Sequence, residues 1–198
     1  MPDEQFFRFL LILILVPTLV MMLIYRIRAA RSGEKISRRA EGMVIFPLLR
    51  LSGLACWVSV FLYMINPQWM IWSSVPLPDW LRWMGAPLGG MAAGLLWWTA
   101  RSLGHNLTDT VVTRAQATLV QQGPYRWVRH PLYSSAALLF LSASLLSANW
   151  FLPLMFVFAL VLLVARTRIE EEKLVEKFGD AYRQYSERTG RFVPRWRS

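Results

Sequence analysis

Long, largely apolar runs constrain this chain more than any other feature. Five of them lie at residues 6–25, 43–65, 80–103, 132–146 and 150–165. A helix rises 1.5 Å per residue, so about 20 residues cross a hydrocarbon layer of roughly 30 Å. The composition agrees, because 55% of the 198 residues are hydrophobic and 17% are charged, against about 45–50% and about 25% in soluble domains. The sequence therefore predicts an all-α integral membrane protein with five transmembrane helices in a single domain, residues 1–198.

The first run and the last two carry signals of how they begin and end. Acidic residues precede the first run and arginines follow it, which is the reverse of a cleavable signal peptide. We therefore expect an uncleaved span, kinked at Pro17. The fourth and fifth runs are short, and residues 147–149 between them suit a tight turn. This pattern predicts a helical hairpin, with Pro153 in the first turn of its second helix.

Lysine and arginine alternate between the loops. Residues 26–42 hold six, residues 104–131 hold three and residues 166–198 hold nine, whereas residues 66–79 and 147–149 hold none. The positive-inside rule then places the N-terminus outside and the C-terminus in the cytoplasm, and a bacterial inner membrane is the expected location. This distribution accounts for most of the net charge of +10. Anionic membrane lipids are therefore expected partners and nucleic acid is not.

Two cytosolic segments, residues 104–131 and 166–198, flank the predicted hairpin, so both should lie at its cytosolic mouth. In the first segment His130 precedes Pro131, and proline suits the first position of a helix, where its missing N–H costs nothing. His130 would then lie beside free backbone N–H groups that can hold a carboxylate. In the second segment Arg166 and Glu170 share one helix face. One cysteine and two histidines give no pattern for a disulfide framework or a metal site.

Each cluster also has a simpler explanation. Arg129, His130 and Tyr133 could be anchors at the level of the lipid headgroups. Arg166 and Glu170 could be an ordinary helix pair, worth a few tenths of a kcal/mol. Spacing alone does not decide between these explanations and a ligand site.

From residue 111 to residue 194 the chain resembles the isoprenylcysteine carboxyl methyltransferases and their relatives, the membrane phospholipid methyltransferases. The matching elements flank and include the hairpin, in the family's order. They are Leu119-Val120, Gly123-x-Tyr125, Arg129-His130-Pro131-x-Tyr133, Glu170-Glu171 with Leu174, Phe178-Gly179-x-x-Tyr182-x-x-Tyr185 and Val193-Pro194. The N-terminal spans match only as hydrophobic helices.

The resemblance implies S-adenosylmethionine as the cofactor, bound in a cytosolic pocket without a Rossmann sheet. The family's cofactor contacts lie before the hairpin and in the extension that follows it. They carry over to Ala117, Thr118, Leu119, Val120, Tyr125, His130, Pro131, Leu132, Tyr133 and Glu170. The family's substrate-contacting arginine carries over to Arg166. In these roles His130 suits the methionyl carboxylate, Tyr125 suits the adenine, and Glu170 can accept hydrogen bonds from amino or ribose donors.

The implied reaction is methyl transfer to a lipidic or hydrophobic acceptor, with a carboxylate of isoprenylcysteine type preferred. Such a carboxylate is ionised at pH 7, so we expect no dedicated general base, and alignment alone can supply ~7–11 kcal/mol. The lipid tail would enter from the bilayer beside the glycines of the third run, whose small side chains allow close helix packing. They are Gly85, Gly89, Gly90 and Gly94. Phospholipid N-methylation, small-thiol S-methylation and a non-catalytic membrane scaffold remain as alternatives, and the oligomeric state stays open.

Overall fold

The computed structural model describes residues 4–30, 45–104 and 118–195, and helices make up most of them. The α-helices in these residues are α1 (Glu4–Ala30), α2 (Ile45–Ile65), α3 (Asp79–Trp83), α4 (Gly85–Leu103), α5 (Pro131–Ser147), α6 (Phe151–Phe178) and α7 (Asp180–Arg188). Two 3-10 turns, Pro67–Ser73 and Gly123–Arg126, lie between them. The described residues form no β-strand, and their extended pairing is limited to two isolated bridges. The predicted all-α fold without a Rossmann sheet is confirmed.

Three of the predicted spans are long and apolar enough to cross a membrane, namely α1, α2 and α6. Helix α5 is apolar but has 17 residues, which is about 25 Å. The single helix predicted over residues 80–103 is wrong, because the chain breaks at Met84 into α3 and the 19-residue α4. Pro87 lies in the first turn of α4 and has no N–H to donate to the carbonyl of Trp83, so the α3 ladder cannot continue through it. Five crossings remain a prediction.

The core forms where α1, α4 and α5 meet. Phe7, Leu11 and Leu15 are one turn apart on one face of α1 and are almost fully buried. On α4, a Cβ added at Gly89 would lie 2.5 Å from Ser142 Oγ on α5, and that hydroxyl donates a 2.6 Å hydrogen bond to the carbonyl of Gly85. The predicted close packing therefore holds for Gly85 and Gly89. The other two glycines of the run, Gly90 and Gly94, face open space.

The predicted hairpin joins α5 to α6. Its turn contains Ala148 in a left-handed conformation (φ 46°) and Asn149, whose Oδ1 accepts hydrogen bonds from the backbone N–H groups of Phe151 and Leu152. The Asn149 side chain also donates to Ser73 Oγ at 2.6 Å. This contact fixes the turn against the 3-10 segment. Pro131 occupies the start of α5 and Pro153 the first turn of α6, as expected.

An ion pair between buried Arg82 and the more exposed Glu4 marks the end of the bundle where α1 begins, which we call the Glu4 end. Arg82 donates to Glu4 at 2.8 and 3.0 Å and to the carbonyl of Leu146, near the end of α5, at 2.7 Å. Tyr63, near the end of α2, also donates to Glu4. Because α5 ends here, its first turn and His130 lie at the opposite end, which we call the His130 end.

Candidate active site

The candidate site begins where α5 starts. His130 immediately precedes the helix, and its backbone carbonyl accepts the N–H of Tyr133 at 3.1 Å. The His130 ring is buried, with 6% exposed, and lies parallel to the ring of Tyr133 at a centroid distance of 5.5 Å. Phe192 packs on the ring from the C-terminal tail, at 5.8 Å. The imidazole is therefore held in one position by an aromatic neighbour on each of two segments.

The extension of α6 brings Glu170 to this histidine. Glu170 Oε2 accepts a 2.9 Å hydrogen bond from the hydroxyl of Tyr133 and lies 4.0 Å from His130 Nδ1. The Glu170 side chain keeps 24% of its surface exposed, so the carboxylate retains accepting capacity toward a bound group. Arg166 is half-buried and lies one turn before Glu170. The structure thus joins the two segments that the sequence placed at one mouth.

Glu171 is the centre of a second set of contacts. Its carboxylate accepts from Arg129 Nε at 2.9 Å, from His130 Nε2 at 3.2 Å and from both Nε and Nη2 of Arg191. Glu171 lies in the charged extension of α6, beyond the apolar residues 151–165. Burial would raise the pKa of this carboxyl, but the hydrogen bonds from His130, Arg191 and Arg129 outweigh burial and hold the pKa well below its usual range.

The C-terminal strap, residues 189–193, pairs with the segment just before α5. The backbone N–H groups of Arg129 and His130 donate to the carbonyls of Gly190 and Arg191 at 2.9 and 3.0 Å, and Gly190 N donates to Trp127 O at 3.0 Å. The Ser134 hydroxyl donates to the carbonyl of Phe192 at 2.5 Å. The strap therefore binds backbone groups of the segment that carries His130.

Tyr125 lies in the 3-10 turn before α5 and is buried, with 8% of its surface exposed. Its backbone carbonyl accepts the hydroxyl of Tyr185, on α7, at 2.7 Å. Burial, and next the charge of Glu170, raise the pKa of the Tyr125 hydroxyl well above its ordinary value. The contact of the Tyr125 ring with adenine stays a prediction.

For the other residues predicted to contact the cofactor, the structure gives their degree of burial. Ala117 lies outside the described residues. Thr118 is exposed, Leu119 and Val120 are half-buried, Pro131 is buried and Leu132 is half-buried. Direct polar or ring contacts join His130, Tyr133 and Glu170. Sequence reasoning did not select Arg129, Glu171 and Arg191 as site residues, although the Glu-Glu pair and the Arg-His-Pro motif were visible.

Of the polar groups at this site, the Glu170 carboxylate suits a cationic, hydroxyl-bearing cofactor best. Glu170 can accept from amino or ribose donors while it keeps its bond to Tyr133. The backbone N–H and Nε2 of His130 already bind Arg191 O and Glu171, and the role of His130 toward the methionyl carboxylate stays a prediction. Of its polar ring atoms, Nδ1 is the one turned toward Glu170. In the described part of the chain, no group of three or more histidine, cysteine or acidic side chains could hold a metal ion.

Comparison with known proteins agrees with the resemblance drawn from the motifs. Residues 88–176 match the profile of the isoprenylcysteine carboxyl methyltransferase (ICMT) family. The chain is 32% identical over 94 residues to protein-S-isoprenylcysteine O-methyltransferase of Saccharomyces cerevisiae, which covers 46% of this chain and 39% of that protein. It is 33% identical over 98 residues to methanethiol S-methyltransferase 1 of Bradyrhizobium diazoefficiens, with coverages of 47% and 32%. The chain thus spans less than half the length of either relative.

A solved structure shares the fold. The eukaryotic intramembrane Ras methyltransferase ICMT superposes with a TM-score of 0.59 at 20% sequence identity, over 93% of this chain and 67% of that one. At this identity the superposition establishes the architecture of the helical membrane fold. The expectation of an integral membrane protein is confirmed by this likeness and by the spanning helices.

Proposed function

We propose that the protein is an S-adenosylmethionine-dependent methyltransferase of membranes and a member of the isoprenylcysteine carboxyl methyltransferase family, because residues 88–176 match the profile of that family. Its acceptor is a lipidic or hydrophobic molecule, most suitably a carboxylate of isoprenylcysteine type. The observation that carries the proposal is the meeting of Glu170 with His130 and Tyr133 at the start of α5.

Different side chains bind the cofactor and the acceptor, according to their charge. When bound, S-adenosylmethionine supplies a methyl group on a positively charged sulfur. Glu170 accepts hydrogen bonds from the donors of the bound cofactor, while Tyr133 fixes one of its two oxygens. Arg166, one turn away, holds the anionic group of the acceptor, because a guanidinium binds carboxylates in a planar, bidentate manner. A carboxylate acceptor arrives ionised, so the site only has to align two reactants.

The distribution of lysine and arginine supports a site that faces the cytoplasm. The positively charged segments 26–42, 104–131 and 166–198 adjoin the ends of α1, α4 and α6 that lie with His130. The acceptor's tail then lies in the bilayer. The open face of α4 at Gly90 and Gly94 is the part of the glycine-bearing run that leaves room for a tail, whereas Gly85 and Gly89 are packed against α5.

A small thiol is the second candidate acceptor, and the match to a methanethiol S-methyltransferase favours it. A thiol must lose its proton before attack, whereas a carboxylate need not. A panel of S-prenylated cysteine, phosphatidylethanolamine and short alkyl thiols, each with methyl-labelled cofactor, separates the candidates. The proposal predicts that prenylcysteine is methylated fastest. Preference for the thiol or for the amine lipid would replace the carboxyl acceptor and keep the reaction type.

Cofactor affinity of the detergent-purified protein tests the site. Glu170→Gln keeps the size of the side chain and removes its charge, so we expect S-adenosylmethionine to bind about tenfold or more weakly, in line with the ~1.5–3 kcal/mol of a hydrogen bond to a charged group. Glu172→Gln is the matched control, because Glu172 is two residues further along the same helix and is exposed. Equal affinity in both variants would remove Glu170 from the site. No binding and no turnover in the wild-type protein would favour the scaffold.

A further inference from the structure

We propose that Glu171 is a positioning residue, which fixes the orientation and the tautomer of the His130 ring so that Nδ1 faces Glu170 and the bound cofactor. This inference rests on the proposed function, because it assigns a role within the same site. Three features of the structure support this role. Glu171 contacts His130 Nε2, Nδ1 of the same ring faces Glu170, and the C-terminal strap contacts both His130 and Glu171.

The first point is the hydrogen bond between the two residues. Glu171 Oε1 lies 3.2 Å from His130 Nε2, and a carboxylate can only accept. Nε2 must therefore carry a hydrogen in this contact, whether the ring is neutral or charged. In a neutral imidazole the other nitrogen is then a bare acceptor. A carboxylate that holds one ring nitrogen in this way sets which nitrogen is available to a ligand.

The second point is where the other nitrogen is directed. His130 Nδ1 is 4.0 Å from Glu170 Oε2, too far for a hydrogen bond and close enough for both groups to contact one bound molecule. The charged and titratable groups around the ring are Arg129 beside it, Tyr133 on α5, Glu170 and Glu171 on α6, and Arg191 on the strap. Glu170 is the more exposed of the two carboxylates, at 24% against 15% for Glu171. Glu170 is thus the carboxylate that a ligand can reach, and Glu171 is the carboxylate that binds the histidine.

The third point is that Glu171 is itself held from two other sides. Arg129 Nε contacts Oε1 at 2.9 Å, and Arg191 of the C-terminal strap contacts both oxygens. A second group on Arg129, Nη1, donates to the carbonyls of Ser186 and Thr189 at 2.8 and 2.5 Å. Both oxygens of Glu171 are engaged in these contacts, which leaves Glu170 as the accepting carboxylate of the pair. Because two arginines also hold the Glu171 carboxylate, it presents a fixed acceptor to Nε2 and thereby favours one orientation of the ring.

The test reads the histidine directly and requires no acceptor. The chain has two histidines, so ¹⁵N-histidine labelling in a His105→Gln background leaves the ring of His130 as the source of the signal. At a pH where the ring is neutral, the proposal predicts a protonated Nε2 and a bare Nδ1. A protonated Nδ1 as the main form of the otherwise wild-type protein would overturn the proposal, and this outcome does not depend on any Glu171 variant folding.

The variants then connect orientation to ligand binding. Glu171→Leu removes the acceptor of Nε2–H, so it should lose the single tautomer. It should also weaken S-adenosylmethionine binding about ten- to a hundredfold, the range found when the hydrogen-bonding partner of a metal-binding histidine is removed. Glu172→Leu should leave both the spectrum and the affinity unchanged. An unchanged tautomer in Glu171→Leu, or a changed tautomer with unchanged affinity, would overturn the positioning role. If the wild-type protein binds no S-adenosylmethionine, the proposed function fails, while the spectra still decide whether Glu171 sets the ring.

Discussion

The hydroxyl of Tyr185 donates a 2.7 Å hydrogen bond to the backbone carbonyl of Tyr125, 60 residues earlier in the chain. Both residues are buried, so this bond is made away from water. It joins α7 to the 3-10 turn that precedes α5. The position of the turn, and of Tyr125 within it, therefore depends on a helix that follows the last predicted span.

We predict that Tyr185→Phe destabilises the protein, because it leaves a buried carbonyl without its donor at a cost of about 1–3 kcal/mol. Thermal unfolding in detergent should begin at a temperature several degrees lower, at roughly 2–4 °C per kcal/mol for a chain of this size. Tyr182→Phe is the matched control. The Tyr182 hydroxyl is buried and has no hydrogen-bond partner among the described residues, so its removal should be neutral or stabilising. The reverse order of stability would contradict the contact.

A second prediction concerns the packing of α4 on α5. In Gly89→Ala the new Cβ would lie 2.5 Å from Ser142 Oγ and 2.9 Å from Ile14 Cδ1, so neighbouring groups must shift, at about 1–3 kcal/mol. Gly53→Ala in α2 is the control, because nothing lies within 4 Å of its Cβ position and alanine favours helix by about 1 kcal/mol. Thermal unfolding should rank Gly53→Ala at or above wild type and Gly89→Ala below it. Equal unfolding temperatures for the two variants would rule out the close approach.

The low pKa of Glu171 gives a prediction about acid stability. The pKa of Glu171 in the folded protein lies below the ordinary value of about 4.5. The free energy by which ionised Glu171 stabilises the fold is therefore fully present above pH 4.5, and it is lost as the pH falls from there toward the pKa of the folded state. The difference in unfolding temperature between wild type and Glu171→Gln should therefore be largest near neutral pH and should narrow as the pH is lowered from 7 to 3. Glu172→Gln should show no such trend. A constant gap for Glu171→Gln would mean that its charge is not what stabilises the fold.

Cysteine labelling tests the orientation in the membrane. In a Cys56→Ser background, Gln68→Cys reports on the Glu4 end and Glu172→Cys on the His130 end, and both positions are exposed. With a membrane-impermeant maleimide on intact bacterial spheroplasts, we expect labelling at position 68 and none at position 172 until the membrane is permeabilised, because positive segments stay inside. Labelling of both positions from one side would contradict the two-ended arrangement.

The elements that the sequence predicts well are those set by local chemistry. Pro131 begins α5 because its ring fits the first turn, and Gly179, with φ at 55°, separates α6 from α7. The hairpin follows from two apolar runs around a short polar turn. The motif pairs His130-Pro131 and Glu170-Glu171 lie at the same end because a hairpin brings its two outer ends together.

The elements that the sequence does not predict depend on contacts made across space. Helix periodicity places Glu171 on α6 but does not show that Arg129 and Arg191, 42 and 20 residues away, both contact it. The strap is a short bent segment with one glycine, Gly190, whose added Cβ would overlap the carbonyl of Val193. The break at Met84 does not show in the apolar pattern, because residues 80–103 form a nearly continuous apolar run and the break follows from the N–H that Pro87 lacks.

Ultraviolet cross-linking of labelled S-adenosylmethionine to the purified full-length protein, followed by peptide mapping, tests the central claim most directly. The account predicts saturable labelling, displaced by excess unlabelled cofactor, in peptides that contain residues 118–133 or 166–178. Absence of saturable labelling, or labelling confined to the Glu4 end such as residues 67–83, would contradict it.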